Sequence, residues 1–264
     1  MKHLIILMAC LSLGTIEANT SGTFRYRTLQ NNAFGFGEEL NFRVHYGFIN
    51  AANVKIKVGT QPVTINDRPT YHITAFGKTL PSFDWAYRVR DHFESYVDME
   101  SIAPLKYFKY VQEDDYKDVD LVYYDHADRS LRGKKQDMDN LPEYVQDIVS
   151  SIYYARNIDF RNAKPGQSWP INVYLDQKVY QLDFKFMGEE VVKSDVGKIR
   201  CYKIKPRLVV DRVFKDEDDM TVWVSADQNK LPVRIETGLF VGSIRCDLTS
   251  YKNLKNPLSS LVKK

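Results

Sequence analysis

One segment of this 264-residue chain has the periodicity of a helix, and it constrains the fold more than any other feature. In residues 140–158, apolar side chains recur every three or four positions, which places them along one side of an α-helix. Asn140 and Glu143 have the spacing of a capping box, and Pro142 falls in the first turn, where its missing N–H costs nothing. The sequence therefore predicts one amphipathic helix over residues 140–158.

Most of the remaining chain alternates between apolar and polar residues, which is typical of strands with one solvated face. In residues 39–48, for example, every second side chain is apolar. About ten such segments follow one another, joined by short loops rich in Gly, Asn and Asp. This pattern predicts a mainly β protein. We expect a strongly curved antiparallel meander sheet, or half-open barrel, of about ten strands wrapped around one central α-helix.

A single helix covers too little of such a sheet. At about 27 Å long and 10 Å wide, it shields only two or three strands spaced about 4.8 Å apart. The rest of the concave face must close on itself, be filled by loops and aromatic side chains, or remain an apolar groove. The sequence leaves both a filled and a hollow interior open. If a groove exists, its expected lining on the helix is Val145, Ile148, Val149, Ile152 and Tyr153.

The first residues resemble an export signal. Lys2 precedes an apolar run over residues 4–13, which is too short to span a bilayer but has the length of a signal-peptide core. We interpret residues 1–18 as a signal peptide cut near Ala18. The alternative is a lipoprotein that is acylated on Cys10.

The rest of the chain is predicted to form one domain. No linker, low-complexity tract or repeat interrupts residues 19–255, which we assign to a single β-rich domain, and residues 256–264 are predicted to be a flexible C-terminal tail.

The net charge is +3, with positive and negative residues interleaved, which argues against a nucleic-acid partner. Outside the short N-terminal run, no segment predicts a transmembrane span.

The sequence carries no motif for catalysis, a metal or a cofactor. The H-E-x-x-H and C-x-x-C spacings are absent, and Ser150 and Ser151 lack a G-x-S-x-G context. His92 and His126 each follow an aspartate directly, and adjacent strand residues point to opposite faces, so neither pair is a ready acid–base couple. We therefore predict a protein that is not an enzyme, although distant carboxylates could still meet as in a glycan hydrolase.

Two cysteines remain once the signal peptide is removed. Cys201 and Cys246 lie on two of the last predicted strands. In an oxidising compartment they could form a disulfide, which would stabilise the fold by constraining the unfolded chain. The other alternative is two buried free thiols, and the strand parity of Cys201 leaves the choice open.

Several segments in order resemble a known family. They are residues 37–51 (GEELNFRVHYGFINA), 95–98 (SYVD), 147–156 (DIVSSIYYAR), 222–234 (VWVSADQNKLPVR) and 242–251 (GSIRCDLTSY). This pattern is similar to the domain-of-unknown-function family 3108. The resemblance implies an exported bacterial envelope protein with a curved antiparallel sheet around a helix, similar to lipoprotein-carrier folds. It implies no catalytic residues.

These observations lead to one main hypothesis and two alternatives. The main one is a non-enzymatic protein of the periplasm or cell envelope of a Gram-negative bacterium, which binds a lipid, an acyl chain or another amphiphile in the concave face of its sheet. The first alternative is a structural or adaptor module that binds another envelope protein or a polysaccharide. The second is a glycan hydrolase.

Overall fold

The computed structural model describes residues 24–210, 213–214, 220–238 and 242–263. The predicted signal peptide, residues 1–18, and the alternative acylation site Cys10 lie outside the described residues. The regular structure of the described residues consists of sixteen strands and one short helix. The strands are β1 (Glu39–Tyr46), β2 (Ile49–Val58), β3 (Val63–Ile65), β4 (Arg68–Thr79), β5 (Arg90–Asp98), β6 (Pro104–Glu113), β7 (Tyr116–Asp125), β8 (Ser130–Gly133), β9 (Asp137–Met138), β10 (Ser168–Leu175), β11 (Lys178–Ser194), β12 (Gly197–Val210), β13 (Val213–Phe214), β14 (Met220–Ser225), β15 (Pro232–Gly238) and β16 (Ser243–Lys252). The helix is α1 (Ile148–Ala155).

All strands belong to one antiparallel sheet. Its order is β10-β11-β12-β14-β15-β16-β1-β2-β4-β5-β6-β7-β8-β9, with β13 paired only to β12 and β3 only to β4. The mainly β, antiparallel prediction is confirmed, but the count of about ten strands is wrong. Alternation reveals long strands, whereas β3, β8, β9 and β13 have two to four residues each, too few to show a period.

The two ends of the sheet approach each other without closing. The hydroxyl of Tyr174, on β10, donates to Asp120 of β7 at 3.1 Å. The Lys109 amine of β6 donates to Asp176, just after β10, at 2.6 Å. Since β10 is one end of the strand order and β6 and β7 lie near the other, the sheet curls into an open, barrel-like shape.

The helix is shorter than the sequence pattern predicts. It has eight residues, and the segment that precedes it, from residue 140 to 147, is not helical. Asn140 and Tyr144 have positive φ angles of 55° and 52°, and Pro142 disfavours the helical conformation in the residue before it. The backbone of Gln146 instead pairs with β10. The predicted helix over 140–158 is therefore corrected to Ile148–Ala155.

The capping box is also in a different place. Asp147, not Asn140, is the N-cap, and its carboxylate accepts hydrogen bonds from the backbone N–H groups of Val149 and Ser150, each at 2.8 Å. The hydroxyl of Ser150 accepts from the Asp147 N–H in return. Two otherwise unsatisfied N–H groups of the first turn are thus paired, which explains why the helix begins here.

The C-terminal segment is packed against the sheet rather than free. The Asn256 side-chain amide donates to the Asn32 carbonyl oxygen at 2.7 Å, and the Ser260 hydroxyl donates to Asp227 at 2.7 Å. The Val262 N–H donates to the carbonyl oxygen of Lys198 on β12 at 2.8 Å. The described part of this segment, up to residue 263, is thus hydrogen-bonded to the sheet and its loops, whereas the sequence predicts a flexible tail over residues 256–264.

Deleting residues 256–264 is expected to lower the free energy of unfolding by about 2–4 kcal/mol, since at least three net hydrogen bonds of about 1 kcal/mol each are lost with the burial of Leu258. Urea unfolding followed by tryptophan fluorescence measures the change. The control is deletion of residues 263–264 alone, which we expect to cost less than about 0.5 kcal/mol. Equal stability of the two truncated proteins would contradict the packed arrangement.

Candidate functional site

The helix divides the concave side of the sheet into a filled half and an open half. Val149 and Tyr153 are 3% and 0% exposed, and they pack into the largest hydrophobic cluster with side chains of β1, β2, β4 and β5. Phe34, from the N-terminal loop, fills this half further and contacts the Tyr153 ring edge-on at 4.7 Å between centroids. This half of the interior is therefore occupied by side chains.

The opposite side of the helix borders an apolar groove. Its volume is about 600 Å³, and its walls come from α1, from Phe160 after it, and from β10, β11, β12, β14 and β15. The lining is Ile148, Ser151, Ile152, Ala155, Arg156, Phe160, Val173, Leu175, Leu182, Phe184, Ile204, Pro206, Arg207, Met220, Val222, Val224, Pro232, Ile235 and Thr237. Most of these side chains are hydrocarbon, so the groove presents a mainly apolar surface.

Strand register explains how the apolar wall forms. Ile204 of β12 is opposite Val222 of β14, and Val222 is opposite Ile235 of β15. Directly paired residues have their side chains on the same face, so these three form one continuous row. On β11, Leu182 and Phe184 share a parity while Asp183 between them points away. Simple alternation therefore turns one face of five strands into a hydrocarbon surface.

Two polar side chains of the groove lining, those of Ser151 and Arg156, are already engaged by the protein. The Ser151 hydroxyl donates to the carbonyl oxygen of Ile148 at 2.9 Å. Arg156, whose side chain is 1% exposed, forms a double ion pair with Glu38 at 2.6 and 2.8 Å and also donates to the carbonyl oxygens of Ala33 and Asn229. Burial acts to lower the pKa of Arg156, but the charge of Glu38 and the hydrogen bonds to it raise the pKa overall. The guanidinium thus anchors the end of the helix.

Two of the five predicted groove residues line the groove. Ile148 and Ile152 do, whereas Val149 and Tyr153 belong to the filled half. Val145 lies before the helix, in a separate cluster near β7 and β10. The strand residues of the lining are not among those predicted. The shared parity of Leu182 and Phe184 is the sequence signal for them, although parity alone does not tell which stretch of sheet stays uncovered.

The two cysteines are free thiols in this structure. Cys201 is on β12 and Cys246 on β16, and β14 and β15 lie between these strands. Three strand spacings amount to about 14 Å, whereas a disulfide needs Cα atoms within about 7 Å. Burial raises the pKa of both thiols to about 12. The geometry therefore corresponds to the second alternative of the sequence analysis, two unpaired cysteines, and not to a Cys201–Cys246 disulfide.

Asp147, which begins the helix beside the groove, is fully buried. Burial raises the pKa of this carboxyl to about 6, although hydrogen bonds from Ser95, Val149 and Ser150 favour its ionised form. A pKa that is higher in the folded than in the unfolded chain means that the folded protein binds the proton more tightly. The contribution of Asp147 to stability is therefore largest below about pH 4 and falls as the pH rises to about 6.

Replacing Asp147 by Asn, which also caps helices well, should remove this pH dependence. Relative to D147N, we expect the wild-type protein to lose about 2 kcal/mol of unfolding free energy between pH 4 and pH 7, which is most of the free energy that corresponds to the shift in pKa. Urea unfolding of both proteins at several pH values measures the difference. If the difference in unfolding free energy between the two proteins does not change with pH, the Asp147 carboxyl of the folded protein has an ordinary pKa.

No group of three His, Cys, Asp or Glu side chains within the described residues is arranged to hold a metal ion. The helix present in the described part of the chain lacks the length and hydropathy needed to cross a membrane.

No curated protein matches the chain. A family model does match it, over residues 41–249, and its description is "protein of unknown function (DUF3108)". The chain belongs to the DUF3108 family.

This DUF3108 protein is similar to several solved structures, to different degrees. A β-barrel-like protein of family DUF1849 from Brucella abortus has a TM-score of 0.53 at 8% identity, covering 83% of this chain and 98% of its own. A predicted lipoprotein from Parabacteroides distasonis has a TM-score of 0.38 at 12% identity, covering 86% of this chain and all of its own. A predicted exported protein from Bacteroides fragilis has a TM-score of 0.36 at 10% identity, covering 87% of this chain and all of its own. The first of these shows that the fold is barrel-like.

Proposed function

We propose that this DUF3108 protein is a non-enzymatic, exported protein of the bacterial cell envelope that binds the apolar chain of a lipid, a lipoprotein or another amphiphile. The binding site is the groove between α1 and strands β10, β11, β12, β14 and β15. One observation carries the proposal, namely that a cavity of about 600 Å³ on the concave face is lined almost entirely by hydrocarbon. This volume lies within the usual range for small-molecule sites, about 300–1,000 Å³.

The energetics favour an apolar occupant. Hydrocarbon surface that is removed from water contributes about 25 cal/mol per Å², so an acyl chain lying against this wall is stabilised along its whole length. Polar side chains are a minority of the lining, and two of them, Ser151 and Arg156, are engaged within the protein. We therefore expect the groove to select ligands by the length and shape of their apolar chain rather than by a pattern of hydrogen bonds.

The composition of the groove supports binding rather than catalysis. Its described lining includes no His, Asp, Glu, Lys or Cys side chain. Ser151 is its hydroxyl-bearing helix residue, and that hydroxyl donates to the backbone of its own helix. A serine nucleophile requires a neighbouring base to accept its proton, and this lining supplies none.

Native mass spectrometry of protein purified from its host without detergent tests the proposal. We expect a mass excess that disappears on organic extraction, with a lipid or other amphiphile recovered in the extract. An unliganded protein that also fails to bind added fatty acid or phospholipid would contradict the proposal. A co-purified protein bound to a chain with an empty groove would instead favour the adaptor alternative.

A further inference from the structure

A second, polar pocket lies on the other face of the sheet. Neighbouring residues of a strand point to opposite faces, and on β15 Ile235 lines the apolar groove while Arg234 lines this pocket. The pocket has a volume of about 420 Å³. Its lining is Arg43, His45, Asn50, Lys193, Ser194, Asp195, Arg234, Arg245, Asp247 and Thr249.

Strand register brings the cationic side chains together. Asp247 of β16 is opposite Arg43 of β1 on one side and opposite Arg234 of β15 on the other. Two residues along β16, Arg245 is opposite His45 of β1. Paired strand residues have Cβ atoms about 5 Å apart, so Arg43 and Arg234 flank Asp247 on the same face of the sheet as Arg245.

Asp247 positions part of this cluster. The residue is 8% exposed, and its two carboxylate oxygens accept from the Nε of Arg234 at 2.6 Å and from the Nε of Arg245 at 2.8 Å. The Nη2 of Arg234 also donates to the carbonyl oxygen of Lys193 at 3.0 Å, which holds the tip of the β11–β12 hairpin over the pocket. The side chains of Arg234 and Arg245 are therefore held in place before any ligand arrives.

The pocket keeps an excess of positive charge. Four cationic side chains, Arg43, Lys193, Arg234 and Arg245, face two carboxylates, Asp195 and Asp247. Within the described part of the chain, no ion pair or hydrogen bond engages the Arg43 guanidinium, and Arg245 uses only its Nε. Like charges at this spacing repel each other, and an anion between them would relieve that repulsion.

We propose that this pocket binds an oxyanion of the phosphate type, whether free phosphate or the phosphate group of a larger molecule. Guanidinium groups match phosphate because their N–H groups form parallel, charge-assisted hydrogen bonds with its oxygens. The free edges of Arg43 and Arg245 supply these donors, with Lys193 as an additional charge. This site is separate from the apolar groove, and the inference does not depend on what that groove binds.

Isothermal titration calorimetry with inorganic phosphate at pH 7 tests the site. We expect saturable binding by the wild-type protein that is weakened about tenfold or more in the R43Q/R245Q variant, since each lost donor contacts a charged group. The matched control is R132Q, which removes an arginine of β8 whose side chain is 54% exposed and paired with Asp139. It should bind phosphate as the wild type does.

A second titrant distinguishes the sources of the anion. Binding of phosphate but not of dimethyl phosphate supports a free phosphate or monoester, and binding of both supports a site that also accepts diesters. R43Q alone provides a folded test if the double variant does not fold, because the Arg43 side chain makes no hydrogen bond or ion pair within the described residues, and near-UV circular dichroism checks the fold. Absence of saturable heat, or equal affinity of R43Q, R132Q and wild type, would overturn the proposal.

Discussion

Replacing Arg156 by Met is expected to lower the free energy of unfolding by about 3–5 kcal/mol, the usual effect of breaking a buried ion pair on one side. The substitution leaves the Glu38 carboxylate, which is 0% exposed, without its two charge-assisted hydrogen bonds. It also leaves the carbonyl oxygens of Ala33 and Asn229 without their donor. Urea unfolding followed by tryptophan fluorescence measures the loss.

An exposed arginine provides the control for this prediction. Arg161 forms an ion pair with Asp159 at 2.7 Å, but its side chain is 77% exposed, so R161M should cost much less stability than R156M. Changing both partners, as in E38Q/R156M, should recover part of the stability lost in R156M because no unpaired charge remains buried. Equal losses in R156M and R161M would mean that the pair does not anchor the helix.

Replacing Ala155 by Trp is expected to weaken binding of an acyl-chain ligand at least tenfold, or about 1.4 kcal/mol. Ala155 is the last residue of α1, and its methyl group lines the apolar groove. An indole there occupies volume that the ligand would otherwise fill, and it does so without opening a cavity in the packed half of the interior. A dansyl-labelled fatty acid, followed by fluorescence, reports the affinity.

The same substitution at an exposed position is the matched control. Ala127 lies in the turn between β7 and β8 and is exposed, so A127W adds the same indole away from the groove. We expect it to bind the labelled fatty acid as the wild type does, with similar unfolding midpoints for both variants. Wild-type affinity in A155W would show that the ligand binds elsewhere or not at all.

The helix shows why sequence periodicity was only partly reliable. Leu141 and Val145 are both buried, as the apolar stripe predicts, but they lie in a non-helical segment. A spacing of four residues places two side chains on one face of a helix and also on one face of an extended chain, since four is a multiple of two. The stripe therefore predicted burial correctly and conformation only from Ile148 onward.

The existence of an apolar groove could be predicted from the sequence, but its position on the sheet could not. The mismatch between one helix and a large sheet follows from strand and helix dimensions alone. Which half stays open depends on contacts between distant segments, such as Phe34 packing on Tyr71 and Tyr153. The order of strands likewise separates Cys201 from Cys246. The alternation of apolar and polar residues indicates which face of the sheet a side chain is on. It does not indicate which other strands lie next to its own strand.

A crystal structure of the protein purified without detergent tests the central claim most directly. The account predicts elongated electron density along the groove, in contact with Ile152 of α1 and with the row formed by Ile204, Val222 and Ile235. A groove closed by these same side chains packing against one another, with no space for a ligand, would contradict it.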